Sequence, residues 1–427
     1  MHGHWIPVRG AALVLSVLCL LLFQTGIYAY ATNGIEFSSI VPRLFYYGFW
    51  ATCGLATATV AFPDRSLLPE MAPLYLVLLA IAVLATIHPP IGVASRSLIM
   101  LAIVVSILLS LLVGAASLLP FRISAILSCV AAVALLTEMY FPGTFSTTVG
   151  RSAGLLQNPN VAGSALVLSG TGAFPFVLRK WKGAYAVVTT AGVLATVSRT
   201  SLLVLSVAAA LSASIWLWRN RRKPLRLERG EIARTAAAAL VCFGLIGFAF
   251  KINEVVSTAA TNSASTALTA IASLNEVETF GGGNIDSPPA TEAEKQREAE
   301  VRKAKAMEVA ETLGDVDSGA ARIILMTNAL QEMTLLGQGA ERAHELAPHN
   351  QYLFFAVAYG LAGIALAVAL AGVVVWLSRS NPLFALAFVG IMAFTHDLTV
   401  LAIAIPVAVG CAGGVVLRKQ RLEPIIA

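Results

Sequence analysis

Two short polar segments interrupt a chain that is otherwise dominated by apolar runs. The first polar segment, residues 150–160, reads Gly-Arg-Ser-Ala-Gly-Leu-Leu-Gln-Asn-Pro-Asn. The second polar segment, residues 344–352, reads His-Glu-Leu-Ala-Pro-His-Asn-Gln-Tyr, and each lies at the mouth of an apolar run. Arg and His side chains are costly near a bilayer and persist mainly where they have a function. If both segments lie on one side of a membrane, they can form a single polar site.

The first polar segment has the residue types of an anion site. Arg151 is followed by Asn158 and Asn160, which flank a proline just before an apolar run that starts near Val161. Asn160 is the predicted N-cap of that helix, and the free amides of a helix start attract negative charge. The alternative is a capped helix with Arg151 at the lipid headgroups.

Arg199 lies between two apolar runs, which makes its charge hard to explain without a partner. Ser198 and Thr200 beside it are further hydrogen-bond donors. A guanidinium in this position needs a partner or a cavity, and its planar fork suits phosphate oxygens. The alternative is an ion pair with Asp397, Glu138 or a carboxylate elsewhere in the chain.

Among the histidines, His349 is the candidate for proton transfer. A neutral imidazole at His349, directly before an apolar run, could accept a proton from an alcohol, and a structural role is the alternative. His344 lies five residues earlier, but no other His or Cys lies nearby, so no metal site is predicted. His396 and Asp397 could join the site or form a simple polar turn.

The composition predicts a membrane protein with many spans. Of 427 residues, 57% are hydrophobic and 12% are charged, and the mean hydropathy is +0.79. Soluble domains carry about 25% charged residues. The five cysteines all fall within apolar runs, without metal-ligand spacing. Hydropathy predicts twelve spans, at about 11–31, 42–61, 71–87, 97–119, 122–141, 161–178, 183–197, 200–218, 235–250, 352–377, 382–396 and 398–417.

The basic residues predict the orientation, because cytoplasmic loops are rich in Lys and Arg. With twelve spans, Arg179–Lys182, residues 219–234 and residues 418–421 all fall on one face, which is then cytoplasmic, as are both termini. Both polar segments and Arg199 fall on the opposite face. The net charge of +6 therefore reflects topology and does not indicate nucleic-acid binding.

The chain divides into spans 1–9 in residues 1–250, one long outer loop in residues 251–351, and spans 10–12 with a tail in residues 352–427. The loop is acidic, with 8 Lys/Arg and 15 Asp/Glu in residues 251–350. Its charge and alanine pattern predicts a solvated helix from Thr291, and an amphipathic stripe predicts a second helix from Ser318 to Leu336. A loop of this size with its own helices typically forms a lid or a wall of a site.

No nucleotide or hydrolase motif accompanies these residues. The chain has no Walker loop, no GxSxG and no HExxH sequence. Chemistry on the outer face without a nucleotide needs a substrate that arrives already activated. A lipid-diphosphate sugar is such a substrate, and its diphosphate leaving group calls for arginines.

A series of motifs carries a family resemblance. In chain order they are Arg151-x-x-Gly154-x-x-x-Asn158-Pro159-Asn160, Ser198-Arg199, Arg322 ahead of Gly337-x-Gly339, and His349-Asn350-x-Tyr352-Leu353 with Gly360-x-x-Gly363. This order, with the large loop before the last motif, resembles the O-antigen ligase / O-antigen polymerase superfamily of bacteria. The resemblance covers about residues 145–380.

The resemblance implies an all-α polytopic membrane protein with about twelve transmembrane helices and one large helical periplasmic loop, a GT-C-like architecture. It implies a glycosyltransferase of the bacterial inner membrane that works on the periplasmic face without metal or cofactor. The donor would be a glycan on undecaprenyl diphosphate. A ligase would move the glycan to a lipid A-core sugar, whereas a polymerase would move it to another lipid-linked glycan.

The resemblance also implies roles for single residues. Arg151 and Arg199 would bind the diphosphate and stabilise its developing charge, and His349 would activate or orient the acceptor hydroxyl. The expected substrate-binding residues are Asn158, Asn160, Arg322, Asn350 and Glu341. His344–Pro348 departs from the family pattern, which leaves Glu341, Glu345 and His349 as alternatives for the base.

Ligase activity is the leading hypothesis, ahead of polymerase activity. A lipid-glycan flippase or transporter is a different class, in which internal repeats and helices broken at mid-membrane are common. The sequence shows no convincing repeat, and its polar residues cluster on one face. A structural subunit would not need two outward arginines beside a histidine.

Overall fold

The computed structural model describes residues 6–32, 40–60, 68–142, 144–145, 151–220, 229–252, 318–395 and 397–426. These residues form helices and turns, with no strand among them, so the all-helical prediction is confirmed for this part of the chain. The helix predicted from Thr291 lies outside the described residues.

The described α-helices are fifteen in number. They are α1 (Ile6–Cys19), α2 (Ile27–Thr32), α3 (Ile40–Val60), α4 (Leu68–Ile87), α5 (Val93–Gly114), α6 (Leu119–Tyr140), α7 (Pro159–Ala173), α8 (Lys182–Ala195), α9 (Arg199–Asn220), α10 (Arg229–Ile252), α11 (Ser318–Gln331), α12 (Ala340–Leu346), α13 (Gln351–Leu377), α14 (Pro382–Phe394) and α15 (Leu401–Ile426). A π-helical turn, Leu20–Gln24, extends α1.

Helices occupy all twelve segments that hydropathy predicts as spans. Six are long and apolar enough to cross a membrane, namely Pro69–Ile87, Val93–Gly114, Leu119–Tyr140, Gly230–Ala249, Gln351–Leu377 and Leu401–Gln420. Large apolar side chains on the outside of the bundle are open to their surroundings, such as Leu55, Trp218 and Leu240. These features are those of a helical membrane protein, and the number of twelve spans stays a prediction.

Contacts between helix ends show which residues lie together at each end of the bundle. At one end Arg234 donates to the Lys180 carbonyl (2.7 Å), and Arg418 pairs with Glu70 (2.8 Å). We call this the basic end, because Arg179–Lys182 also lies there. The residues predicted to face outward lie at the opposite end, which we call the site end.

Helix α7 is the centre of the bundle. Every residue from Val161 to Ala173 is buried. Small residues permit this packing: a Cβ on Gly163 would come within 2.6 Å of the Ser201 hydroxyl oxygen. At the basic end the Asn381 amide donates to the Thr171 carbonyl (2.9 Å), which fixes the last turn of α7 against α14. With fifteen residues, α7 is about 22 Å long.

Helix α13 is broken at Gly360, whose φ of 59° and ψ of −135° are not helical. Residues 335–339 fill the break. The amides of Gln338 and Gly339 donate to the Val357 and Ala358 carbonyls, at 2.8 and 2.9 Å. The Leu361 amide in turn donates to the Leu335 carbonyl. These bonds satisfy backbone groups that the break would leave unpaired, which is a requirement at membrane depth.

The amphipathic helix predicted for Ser318–Leu336 is present as α11, although it ends earlier, at Gln331. Met326 is partly buried, and Met333, just after the helix, packs on the core, whereas Leu330 is 54% exposed. Arg322 lies within α11, and its side chain is outside the described set.

Candidate functional site

Arg151 links the first polar segment to the turn that carries Arg199. Its Nη2 donates to Asn160 Oδ1 (2.8 Å), and its Nε donates to the Thr196 carbonyl (3.3 Å). The next residue continues the link, because the Ser152 amide donates to the Ala195 carbonyl (3.2 Å). The first polar segment is therefore fixed to the end of α8, three residues before Arg199.

The cap of α7 is Asn158, and the prediction of Asn160 as the cap was wrong. Asn158 Oδ1 accepts from the amides of Asn160 (2.9 Å) and Val161 (3.3 Å), and the helix begins at Pro159. Proline suits this first position because it has no amide hydrogen to leave unpaired. The cap moves two residues back and leaves the Asn160 side chain available to orient Arg151.

Glu138 binds the backbone of the first polar segment. This buried carboxylate at the end of α6 accepts from the amides of Ala153 and Gly154, each at 2.7 Å. Gly154 has a φ of +55°, a conformation that favours glycine. The carboxylate shapes the turn that presents Arg151, a role that hydropathy could not indicate.

Arg199 is the first residue of α9 and is half-buried at the site end. It forms no ion pair or side-chain hydrogen bond with any side chain that the structure describes, Glu138 included; the side chain of Asp397, the other named alternative, lies outside that set. Just before it, the Ser198 hydroxyl lies 3.0 Å from the Ser201 hydroxyl and accepts from the Ser201 amide. The start of α9 is therefore ordered by its own side chains, and no described side chain occupies the Arg199 guanidinium.

The second polar segment is held by Asn350. Its Oδ1 accepts from the Leu353 amide (3.0 Å) and caps α13, while its Nδ2 donates to the Ala393 carbonyl at the end of α14 (2.9 Å). His349 is half-buried with a φ of +48°, an uncommon backbone conformation outside glycine. Backbone positions of this kind cluster at functional sites, so the placement of His349 fits a positioned side chain.

Glu341 has a structural contact that the sequence did not indicate. Its carboxylate caps α5 and accepts from the amides of Gly92 (3.0 Å), Ala94 (3.2 Å) and Ser95 (2.9 Å). Burial alone would raise the pKa of the Glu341 carboxyl, but these amide bonds outweigh it and lower the pKa. A carboxylate held by three amides is a poor general base, which favours His349 over Glu341 in that role.

Replacing Glu341 by glutamine should lower the stability of the protein by about 1 kcal/mol, because the charged cap of α5 is lost. Thermal unfolding in detergent at pH 7 measures this. The control is Glu345→Gln on the same helix, because Glu345 is 66% exposed in its pair with Arg342 and should change stability by less than about 0.5 kcal/mol. Equal melting temperatures for the two variants would contradict the capping role.

The capping contact also predicts a pH dependence. The folded-state pKa of Glu341 lies below its unfolded value of about 4.3. Its stabilisation is therefore complete above that value and is lost as the pH falls through the folded-state pKa. The stability difference between the wild type and Glu341→Gln should shrink over that range, and a difference that grows there would be inconsistent with the cap.

The two polar segments lie at the same end of the bundle but are held by different neighbours. The first is fixed to α6 and α8, and the second to α14 and, through α12, to α5. Of the further predicted residues, His344 is exposed on α12. His396 and the side chain of Asp397 lie outside the described residues.

Three buried polar groups near α13 could not be recognised from the sequence. Both amide atoms of Gln351, the Tyr359 hydroxyl and His88 Nδ1 are buried and have no hydrogen-bond partner among the described residues. The rings of His88 and Tyr359 lie 6.0 Å apart. Buried polar groups normally have partners, so these atoms are available to a polar ligand. Gln351 and Tyr359 belong to an apolar helix, where sequence pattern alone gives them no special weight.

The fold and composition thus define a helical, membrane-embedded protein with polar clusters at one end of its bundle. A scan against protein-family models and a search of curated proteins both find no match for the chain.

Proposed function

We propose that the protein is an O-antigen ligase-type glycosyltransferase, which moves a glycan from undecaprenyl diphosphate to an acceptor hydroxyl of a lipid A-core sugar. The observation that carries the proposal is the arginine pair at the site end. Arg151 is fixed to the turn before Arg199, and Arg199 has no ion pair with any described side chain. Two such cations at a membrane surface suit a diphosphate.

The transfer would use the site as follows. The acceptor oxygen attacks the anomeric carbon of the donor glycan, and the bond from that carbon to the diphosphate oxygen breaks. The diphosphate leaves on its lipid with the bond electrons, and Arg151 and Arg199 stabilise the negative charge that develops. His349 takes the proton of the acceptor hydroxyl. Asn350 positions His349, and Asn160 positions Arg151.

The placement in a bacterial inner membrane, with the site end facing the periplasm, belongs to the same proposal. The basic end would be cytoplasmic, as positive residues on short loops favour. Arg322 on α11 is a further proposed contact for the substrate. Gln351 and Tyr359 offer polar atoms that could bind sugar hydroxyls.

One observation favours the transporter alternative. Helix α13 is broken at Gly360, and broken helices are common at the substrate sites of transporters. In this protein the backbone of residues 335–339 forms hydrogen bonds with the backbone of α13 on both sides of the break. The Val357 and Ala358 carbonyls at the break are therefore already bonded within the protein, and the glycosyltransferase proposal stands ahead.

The test is a gel analysis of surface glycans in a strain without the gene, complemented by wild type, His349→Ala or His344→Ala. His344 is the matched control, because it is an exposed histidine five residues away. We expect lipid-linked polymer that stays unattached to lipid A-core in the deletion and His349→Ala strains, and normal glycans with His344→Ala. Single repeats on the core would indicate a polymerase, and unchanged glycans in the deletion strain would refute both.

A further inference from the structure

A deep groove opens at the basic end, far from both polar segments. It has a volume of about 830 Å³ and lies between α6, α8 and α10. Its lining comes from these three helices and from residues 176–181 just before α8, with Arg122 and Arg234 among them. The volume is typical of a site for a small organic ligand.

The groove has a floor, two walls and a closed end. Gly183 brings α8 against α10, because a Cβ at this position would clash with the Thr235 hydroxyl. Towards the site end, the Tyr140 hydroxyl of α6 donates to the Leu245 carbonyl of α10, and the rings of Tyr140 and Phe248 lie 6.3 Å apart. Helix α8 is therefore the floor, and α6 and α10 are walls that meet beyond the groove.

The length of the groove along its helices fits within one leaflet of a membrane. Its lining runs from Arg122 to Cys129 along α6 and from Arg234 to Cys242 along α10. At 1.5 Å per residue these stretches are about 10–12 Å long, within half of a hydrocarbon core of about 30 Å. The lining contains no acidic residue and is apolar between its two arginines.

The mouth of the groove is positively charged. Arg122 is exposed and pairs with no acidic side chain that the structure describes. Arg234 is fixed across the groove, because its Nε donates to the Lys180 carbonyl and its guanidinium lies 5.5 Å from the centre of the Trp181 ring. Tryptophan prefers the headgroup level of a bilayer, so both arginines are placed where lipid phosphates lie.

We propose that this groove binds an anionic glycerophospholipid from the leaflet at the basic end. An acyl chain occupies the apolar groove, and the phosphate binds Arg122 and Arg234. Glu231, one turn before Arg234, interacts with Lys182 and does not line the groove. Two cations in a described lining that has no carboxylate favour a lipid with net negative charge over a zwitterionic one. The apolar depth excludes a free phosphate as the natural occupant, because inorganic phosphate would leave the groove unfilled.

The test is native mass spectrometry of the full-length protein in detergent, titrated with phosphatidylglycerol and with phosphatidylcholine of the same acyl chains. We expect retention of phosphatidylglycerol in preference to phosphatidylcholine. Each of Arg122→Gln and Arg234→Gln should weaken phosphatidylglycerol binding about fivefold, as one cation near a membrane surface contributes. Ala238→Trp should prevent binding by filling the groove.

Arg379→Gln is the matched control. Arg379 also lies at the basic end, donates to a tryptophan carbonyl and stacks on the Trp376 ring at 4.9 Å, but it does not line the groove. Binding should be unchanged in this variant. Equal retention of the two lipids, or an equal loss with Arg379→Gln, would overturn the proposal, as would displacement of phosphatidylglycerol by a polyprenyl phosphate at equal concentration.

Discussion

Replacing Arg199 by alanine should reduce glycan transfer at least about 100-fold and leave the protein folded in the membrane. The size follows from the loss of one donor that stabilises charge on a leaving group. Folding should survive, because Arg199 has no ion pair with any described side chain that the change would break. Arg199→Lys should also be impaired, since a point charge does not replace a planar fork.

The measurement is transfer from a purified lipid-diphosphate glycan to its acceptor, with membrane content checked by immunoblot. Arg342→Ala is the control, since Arg342 is an arginine of the site end whose pairs with Glu332 and Glu345 are partly exposed. Arg151→Ala should abolish transfer as well, although it also removes two hydrogen bonds. Activity retained in both Arg151→Ala and Arg199→Ala would rule out the diphosphate site.

Replacing Gly360 by alanine should destabilise the protein by more than about 2 kcal/mol. The backbone there has a conformation that is nearly exclusive to glycine. A Cβ would also clash with the Leu335 carbonyl oxygen, which accepts from the Leu361 amide. The variant must therefore expel residues 335–339 from the break or close the break itself.

Gly372→Ala in the same helix is the control for Gly360→Ala. A Cβ on Gly372 meets nothing within 4 Å, so this change should leave stability the same or raise it slightly, as alanine favours helix. The melting temperature of the detergent-solubilised protein measures both. A Gly360→Ala protein as stable as the wild type would mean that α13 is continuous.

The positions of the polar residues could be predicted from the sequence, whereas most of their hydrogen-bond partners could not. Polar segments at helix starts obey local rules, so the cap at the start of α7 was predictable, to within two residues, from the Asn-Pro-Asn pattern. The link from Arg151 to the Thr196 carbonyl was not, because it depends on where α8 ends relative to a segment 45 residues away.

The carboxylates show why partners are harder to predict than positions. Glu138 was a possible ion partner for Arg199, and it instead binds the amides of Ala153 and Gly154. Glu341 was a possible base, and it caps a helix 246 residues earlier in the chain. Backbone amides have no sequence signature, so only the packed structure reveals them as partners.

The complete burial of α7 has a consequence for how the protein is made. A helix of fifteen residues with glycine, serine and threonine along its length is too short and too polar to insert readily into lipid on its own. Small residues of this kind instead suit close packing of one membrane helix on another. During synthesis α7 therefore has to wait for α14 and α15, which arrive more than 200 residues later, before its surroundings are complete. The site end of the bundle is thus completed only after α14 and α15 have entered the membrane.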